Sequence, residues 1–191
     1  MNDRKNEILQ IAIEIIANQG YARLTMRALA RAVGIKLGAL QYHFSTSEEM
    51  LRALFGYISE AYNRSFISFS KQNSPVDIRD IVNFIMEDEA GKTLMGDRLW
   101  PQLWAMQQVD PTASVLVEDI YSQYIKLLES ALRQSGAQHP KAEALALMSM
   151  LEGLTIFMGH GRRWKRNAKA TRRIILTFIE EKYGKTHDKQ L

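Results

Sequence analysis

The sequence predicts an all-α protein of about nine helices, and three observations carry that reading. Apolar residues recur at helical spacing over nearly the whole chain, and no run alternates strictly between apolar and polar positions. Three of the four prolines, Pro75, Pro111 and Pro140, stand where a first helical turn tolerates a missing N–H. With 191 residues, 46% of them apolar, the chain is long enough to bury a real core.

In the first helix Ile8, Ala12, Ile15 and Ile16 share one face, and Gly20 follows where the helix end needs a residue free to take positive φ. Thr25 caps a second, short helix that runs through Val33. Gly34 breaks it, and a third short helix spans roughly Leu37 to Phe44. The string Ser45-Thr46-Ser47-Glu48-Glu49 places hydroxyls and carboxylates where a helix start and its positive dipole end favour them, so a long helix is expected to about Ser70. Further helices are expected near 76–90, 93–108, 111–135, 140–161 and 168–183, with Pro101 kinking or interrupting the 93–108 stretch. No repeat or flexible linker divides the chain. A boundary near residue 46 separates an N-terminal domain, 1–46, from a larger helical domain, 47–191.

Composition narrows the class. There is no cysteine, which excludes a disulfide scaffold and thiolate metal sites and suits a reducing compartment. The start MNDRKNEILQ has no secretory pattern, and no apolar run approaches the roughly 18 residues of a membrane span. A cytoplasmic protein without membrane contact is expected. The net charge of +4 is unevenly spread: residues 1–50 carry +1, residues 51–159 carry −4, and residues 160–191 carry +7. That C-terminal surplus reads more readily as a solvated helix face than as a DNA contact.

The N-terminal string carries the function. Two short helices joined by a glycine turn make a helix-turn-helix pattern. The fuller set is Gly20-Tyr21, Leu24 through Ala30, Val33-Gly34, Gly38, Leu40, Tyr42-His43-Phe44 and Glu49-Met50-Leu51. Over about the first 55 residues this resembles the N-terminal domain of the TetR family. Ala12, Ile16, Leu29, Val33, Leu40 and Phe44 are expected to form the small core that fixes the angle between the two short helices. Gly38 lets the recognition helix approach the DNA backbone. The resemblance assigns phosphate contact to Tyr42 and His43, with Thr25 at the helix cap and Ser47 at the start of the next helix. Bases are expected to be read by Lys36, Leu37, Ala39 and Gln41: Gln41 suits adenine, Lys36 guanine, and Leu37 or Ala39 a thymine methyl. The chain departs from the family at three of these places. Lys36 stands where a Ser or Thr is common, Gln41 where a Tyr is common, and Ser47 where a Lys is common.

The resemblance implies a homodimer that binds a palindromic duplex operator and is released from it by a small-molecule effector. Residues 144–154 look like the family's penultimate helix, and Gly153 there suggests close approach of another helix. The expected dimer interface is Leu147, Met150, Gly153 and Leu154 with Ile174, Ile175 and Phe178, pairing as a four-helix bundle. An ordinary contact within the chain is the other reading of Gly153. Trp100, Trp104, Met106, Tyr124 and Phe157 either line an effector cavity or belong to the core. A helical DNA-binding protein without an effector is the alternative function.

An enzyme is not expected. The chain has no Gly-rich phosphate loop, its four histidines (His43, His139, His160 and His187) are scattered, and the consecutive Glu87, Asp88 and Glu89 point around a helix rather than converging. Neither a metal nor a cofactor is expected.

Overall fold

The computed structural model describes residues 2–72 and 77–184. The expected helix start at Pro75, and His187, lie outside the described residues. All regular structure in the described residues is helical: α1 (Asn2–Gln19), α2 (Met26–Val33), α3 (Leu37–His43), α4 (Ser47–Gln72), α5 (Ile78–Glu87), α6 (Glu89–Leu94), α7 (Gly96–Met106), α8 (Pro111–Gln134), α9 (Pro140–Met158) and α10 (Ala168–Tyr183). Single 3₁₀ turns occupy Tyr21–Arg23 and Lys165–Asn167. These are the expected helices plus the six-residue α6.

The extra helix arises because the chain breaks at Met95, not at Pro101. Met95 adopts a left-handed conformation with φ 59°, and Asp88, which ends α5, does the same with φ 41°. Neither is glycine, so neither break was written in residue type. Pro101 sits inside α7, and that helix continues through it to Met106.

Other ends follow their capping residues. Asp77 accepts from the Arg79 N–H at 3.1 Å, and Asp110 accepts from the N–H groups of Thr112 and Ala113 at 2.8 and 3.1 Å, each using backbone donors that a helix start leaves unpaired. Gly159 ends α9 slightly earlier than expected.

The chain forms two compact units. The first comprises Met1–Ser65 and Glu89–Ile120, the second Phe66–Asp88 and Tyr121–Leu191. In the first, Ile8, Ala12 and Ile16 of α1 are buried together with Leu29, Leu40, Phe44, Leu54 and Ile58. α1 is tied to α7 by a hydrogen bond from the Arg98 guanidinium to the Asn18 side-chain carbonyl. The indole N–H of Trp100 donates to the Tyr62 hydroxyl at 2.8 Å. In the second unit an aromatic cluster of Phe66, Phe69, Phe84 and Tyr124 joins the end of α4 to α5 and α8, with ring centroids 4.3 to 6.1 Å apart. Ile81, Leu128, Leu132, Leu147, Leu151, Ile175 and Ile179 complete its core.

Among the described residues the fully buried side chains are apolar or aromatic, and Glu152 is half-buried. No helix among them is long and apolar enough to cross a membrane.

Candidate nucleic-acid interface

The arrangement of α2 and α3 follows from three local devices. The Thr25 hydroxyl accepts from the Ala28 N–H at 3.1 Å and starts α2. Gly34 ends it with φ 75°, which lets the Gly34 N–H reach the Arg31 carbonyl at 3.2 Å and the Ile35 N–H reach the Ala30 carbonyl at 3.0 Å. That pair of bonds closes the helix end and turns the chain through a conformation that glycine adopts without strain. α3 then begins after Lys36, which supplies no side-chain cap.

The helical period divides α3 into two faces. Leu40, with Phe44 just beyond the helix, is buried against α1 and α2, and the Lys5 ammonium lies 5.4 Å from the Phe44 ring centroid. Lys36, Gly38, Ala39, Gln41 and Tyr42 are exposed, while Leu37 and His43 are half-buried. Tyr42 is 86% exposed, and its ring neighbour among the described residues is His43, edge-on with centroids 5.7 Å apart. Val33 is half-buried, so the small core lacks one expected member.

The start of α4 is held by a reciprocal pair. Thr46 accepts from the Glu49 N–H at 3.0 Å, and the Glu49 carboxylate accepts from the N–H and the hydroxyl of Ser45 at 2.8 and 2.6 Å. The hydroxyl bond from Ser45, then its N–H, hold the Glu49 carboxyl below the usual range, with Lys5 and Arg52 adding to the effect. Ser47 is exposed at the first position of α4. Every base-reading and phosphate-contacting residue expected from the sequence therefore lies on α3, its flanks or the adjoining helix starts.

The expected effector residues are divided between the two units. Trp100, Trp104 and Met106 belong to the first unit, and Tyr124 and Phe157 to the second. Trp100, Met106 and Tyr124 are buried, Trp104 is half-buried, and Phe157 is 54% exposed. Of the expected interface residues, Leu147 and Ile175 are buried within their own unit. Met150, Ile174 and Phe178 are exposed, and Gly153 and Leu154 are half-buried. A Cβ built at Gly153 would meet only the Phe157 ring of its own helix, at 3.9 Å, so no other helix of the chain approaches there among the described residues.

A second polar constellation was not apparent from sequence. Glu152 of α9 accepts from the Tyr121 hydroxyl of α8 and faces Asp88 at the end of α5. Burial pushes the Glu152 carboxyl up to about 7, the Tyr121 hydrogen bond opposes that rise, and the Asp88 charge adds to it. Burial likewise raises Tyr124, with Asp88 and Glu152 reinforcing the shift. The helix assignments alone did not show that these three elements converge.

Residues 8–54 match the family model described as bacterial regulatory proteins, tetR family. Nucleoid occlusion factor SlmA of Marinomonas sp. is 37% identical over 60 residues, which are 31% of this chain and 30% of that protein. The HTH-type transcriptional repressor KstR2 of Mycobacterium tuberculosis is 34% identical over 65 residues, 34% of this chain and 32% of that protein. These matches thus span about a third of the relatives' lengths. A transcriptional regulator from Saccharomonospora viridis, solved in complex with choline, superposes with a TM-score of 0.75 at 19% identity, covering 95% of this chain and 98% of that one.

Proposed function

We propose, from the match of residues 8–54 to the TetR family of bacterial regulatory proteins, that the chain is a transcriptional repressor of that family, which binds a two-fold symmetric duplex operator as a homodimer and releases it on binding a small effector. The observation that supports DNA binding is the outward face of α3. A tyrosine ring 86% exposed, beside the exposed Gln41 and Lys36, gains nothing from solvent and suits contact with a polar partner. On this reading residues 1–46 are the reading head, and residues 47–191 carry the effector and the dimer contact.

In this scheme Tyr42, His43, Thr25 and Ser47 hold phosphates, while Lys36, Leu37, Ala39 and Gln41 face base edges across Gly38. The test is a pair of variants on a selected operator. Gln41→Ala should relax preference at one base position per half-site, at a cost of about 1–3 kcal/mol, whereas Tyr42→Phe should weaken all duplexes alike. If both variants bind as the parent does, α3 is not the reading helix.

Dimerisation is assigned to α9 and α10, on which Met150, Ile174 and Phe178 are exposed and Gly153 is approached by no other helix among the described residues. The effector is assigned to the second unit. There the rings of Phe66, Phe84 and Tyr124 adjoin the carboxyl groups of Asp88 and Glu152, a set suited to an organic cation through ring faces and charge. The choline held by the Saccharomonospora viridis protein is such a cation. Titration with quaternary ammonium compounds by calorimetry, followed by operator binding with the same compounds, tests this assignment. Compounds that bind yet leave operator affinity unchanged would support the alternative, a DNA-binding protein without an effector.

A further inference from the structure

The second unit carries a stretch of chain whose charges are of a single sign. Between Glu152 and Glu180 the sequence contains no carboxylate, while Arg162, Arg163, Lys165, Arg166, Lys169, Arg172 and Arg173 fall within that interval. All seven are exposed. Arg172 has a partner: its guanidinium donates to the Met86 carbonyl at 2.6 Å, which anchors the start of α10 to the end of α5. Among the described residues the other six have no carboxylate partner, in contrast to Arg79, bound to Glu180, and Lys182, bound to Glu143.

The backbone concentrates these charges. Gly161, with φ 70°, turns the chain just after α9, and the Lys165–Asn167 turn leads directly into α10, so the cations lie on one compact turn and the first two helical turns beyond it. α10 has no side-chain cap and no acid in its first turn, where Lys169 stands instead. A cation at the positive end of a helix, among like charges, is unfavourable unless an anion lies nearby.

We propose that Arg162, Arg163, Lys165, Arg166, Lys169 and Arg173 form a second DNA-binding surface, which takes the phosphate backbone of duplex DNA without regard to sequence. Charge complementarity argues for this occupant. Duplex DNA presents one negative charge per roughly 1.7 Å of axis, which matches a dense cluster of unpaired cations. The α3 domain is poor in net positive charge, since residues 1–50 carry only +1 and Ser47 supplies no cation at the start of α4. The surface therefore adds sequence-independent attraction to the phosphate contacts assigned to α3 and its flanks. A lipid bilayer fits less well, because binding to it also needs projecting apolar area. Beside the cluster Trp164 and Phe157 are 51% and 54% exposed, but their rings are engaged with each other at 6.1 Å and that of Trp164 with the Arg163 guanidinium at 6.0 Å, and the exposed Ile174 belongs to the face assigned to the dimer contact.

The experiment uses the full-length protein and a fluorescent random-sequence duplex, titrated by anisotropy between about 50 and 200 mM salt. Three proteins are compared: the parent, Arg162→Gln/Arg163→Gln/Arg166→Gln, and Gln41→Ala/Tyr42→Ala. The triple variant is expected to lose at least tenfold in random-duplex affinity at the low-salt end. Its salt slope should become shallower by about 0.9 for each phosphate contact removed, while base preference on a selected operator is kept. The α3 variant is expected to lose operator preference yet retain salt-dependent binding of the random duplex. Parent-like affinity and slope in the triple variant, with circular dichroism unchanged, would overturn the proposal. So would an unchanged DNA slope accompanied by loss of binding to phosphatidylserine vesicles, which would mark a lipid surface. The two readings are separable, because failure of α3 to read an operator leaves the random-duplex comparison intact.

Discussion

Glu152 shows how a single side chain can couple stability to pH. Its carboxyl holds a proton to about 7 in the fold, whereas an unfolded glutamate releases it near 4.5. Between those values the folded chain binds more protons than the unfolded one, so stability must fall as pH rises through that window. Glu152→Gln keeps an acceptor for the Tyr121 hydroxyl and removes the charge. It is expected to flatten the decline and to exceed the parent at pH 8 by an amount on the order of 3 kcal/mol. Urea midpoints at pH 5 and pH 8 check this, and parallel pH profiles for the two proteins would refute it. Glu143 runs the opposite way. The Tyr183 hydroxyl at 2.5 Å, then the His139 N–H and Lys182, hold its carboxyl at about 2, so its contribution is present above the ordinary glutamate value and is lost as pH falls toward 2. Neither environment could be read from sequence, because each is set by a partner at least 30 positions away or by depth. Tyr42, Gln41 and Lys36 could be read, since their placement depends only on the period of one short helix and two caps.

At the scale of the element, the turn between α2 and α3 rests on Gly34. A Cβ there would meet nothing within 4 Å, so substitution acts through φ 75° alone. Gly34→Ala should cost about 1 kcal/mol, and Gly34→Asn should recover part of it, because asparagine tolerates the left-handed region. Thermal midpoints of the two variants decide the matter, and an alanine variant as stable as the parent would show that the turn relaxes to another geometry. Thr25→Ala should likewise cost about 1 kcal/mol by stranding the Ala28 N–H. Glycine, proline and hydroxyl caps made most helix limits readable in advance. The breaks at Asp88 and Met95 were not, because a residue with a Cβ is held at positive φ there only by its surroundings.

For the whole molecule the testable matter is assembly and its coupling to ligand. Ile174 is 68% exposed on α10 and Gly153 has room in the protomer, so Ile174→Glu and Gly153→Leu should leave the fold intact and yield monomers in sedimentation. An unchanged dimer in both would move the interface elsewhere. An effector that opposes operator binding must do so reciprocally, and a coupling of about 1–3 kcal/mol would weaken each partner's affinity roughly 5- to 150-fold. The interior has a thermal consequence. With a core made of apolar and aromatic side chains, cohesion rests chiefly on apolar burial, a driving force that fades on chilling. Such a protein is held least firmly by its core in the cold, where the association proposed for exposed side chains such as Ile174 and Phe178 should weaken for the same reason. Storage near freezing should therefore loosen assembly before it preserves it, and sulfate, which strengthens apolar burial, should restore it.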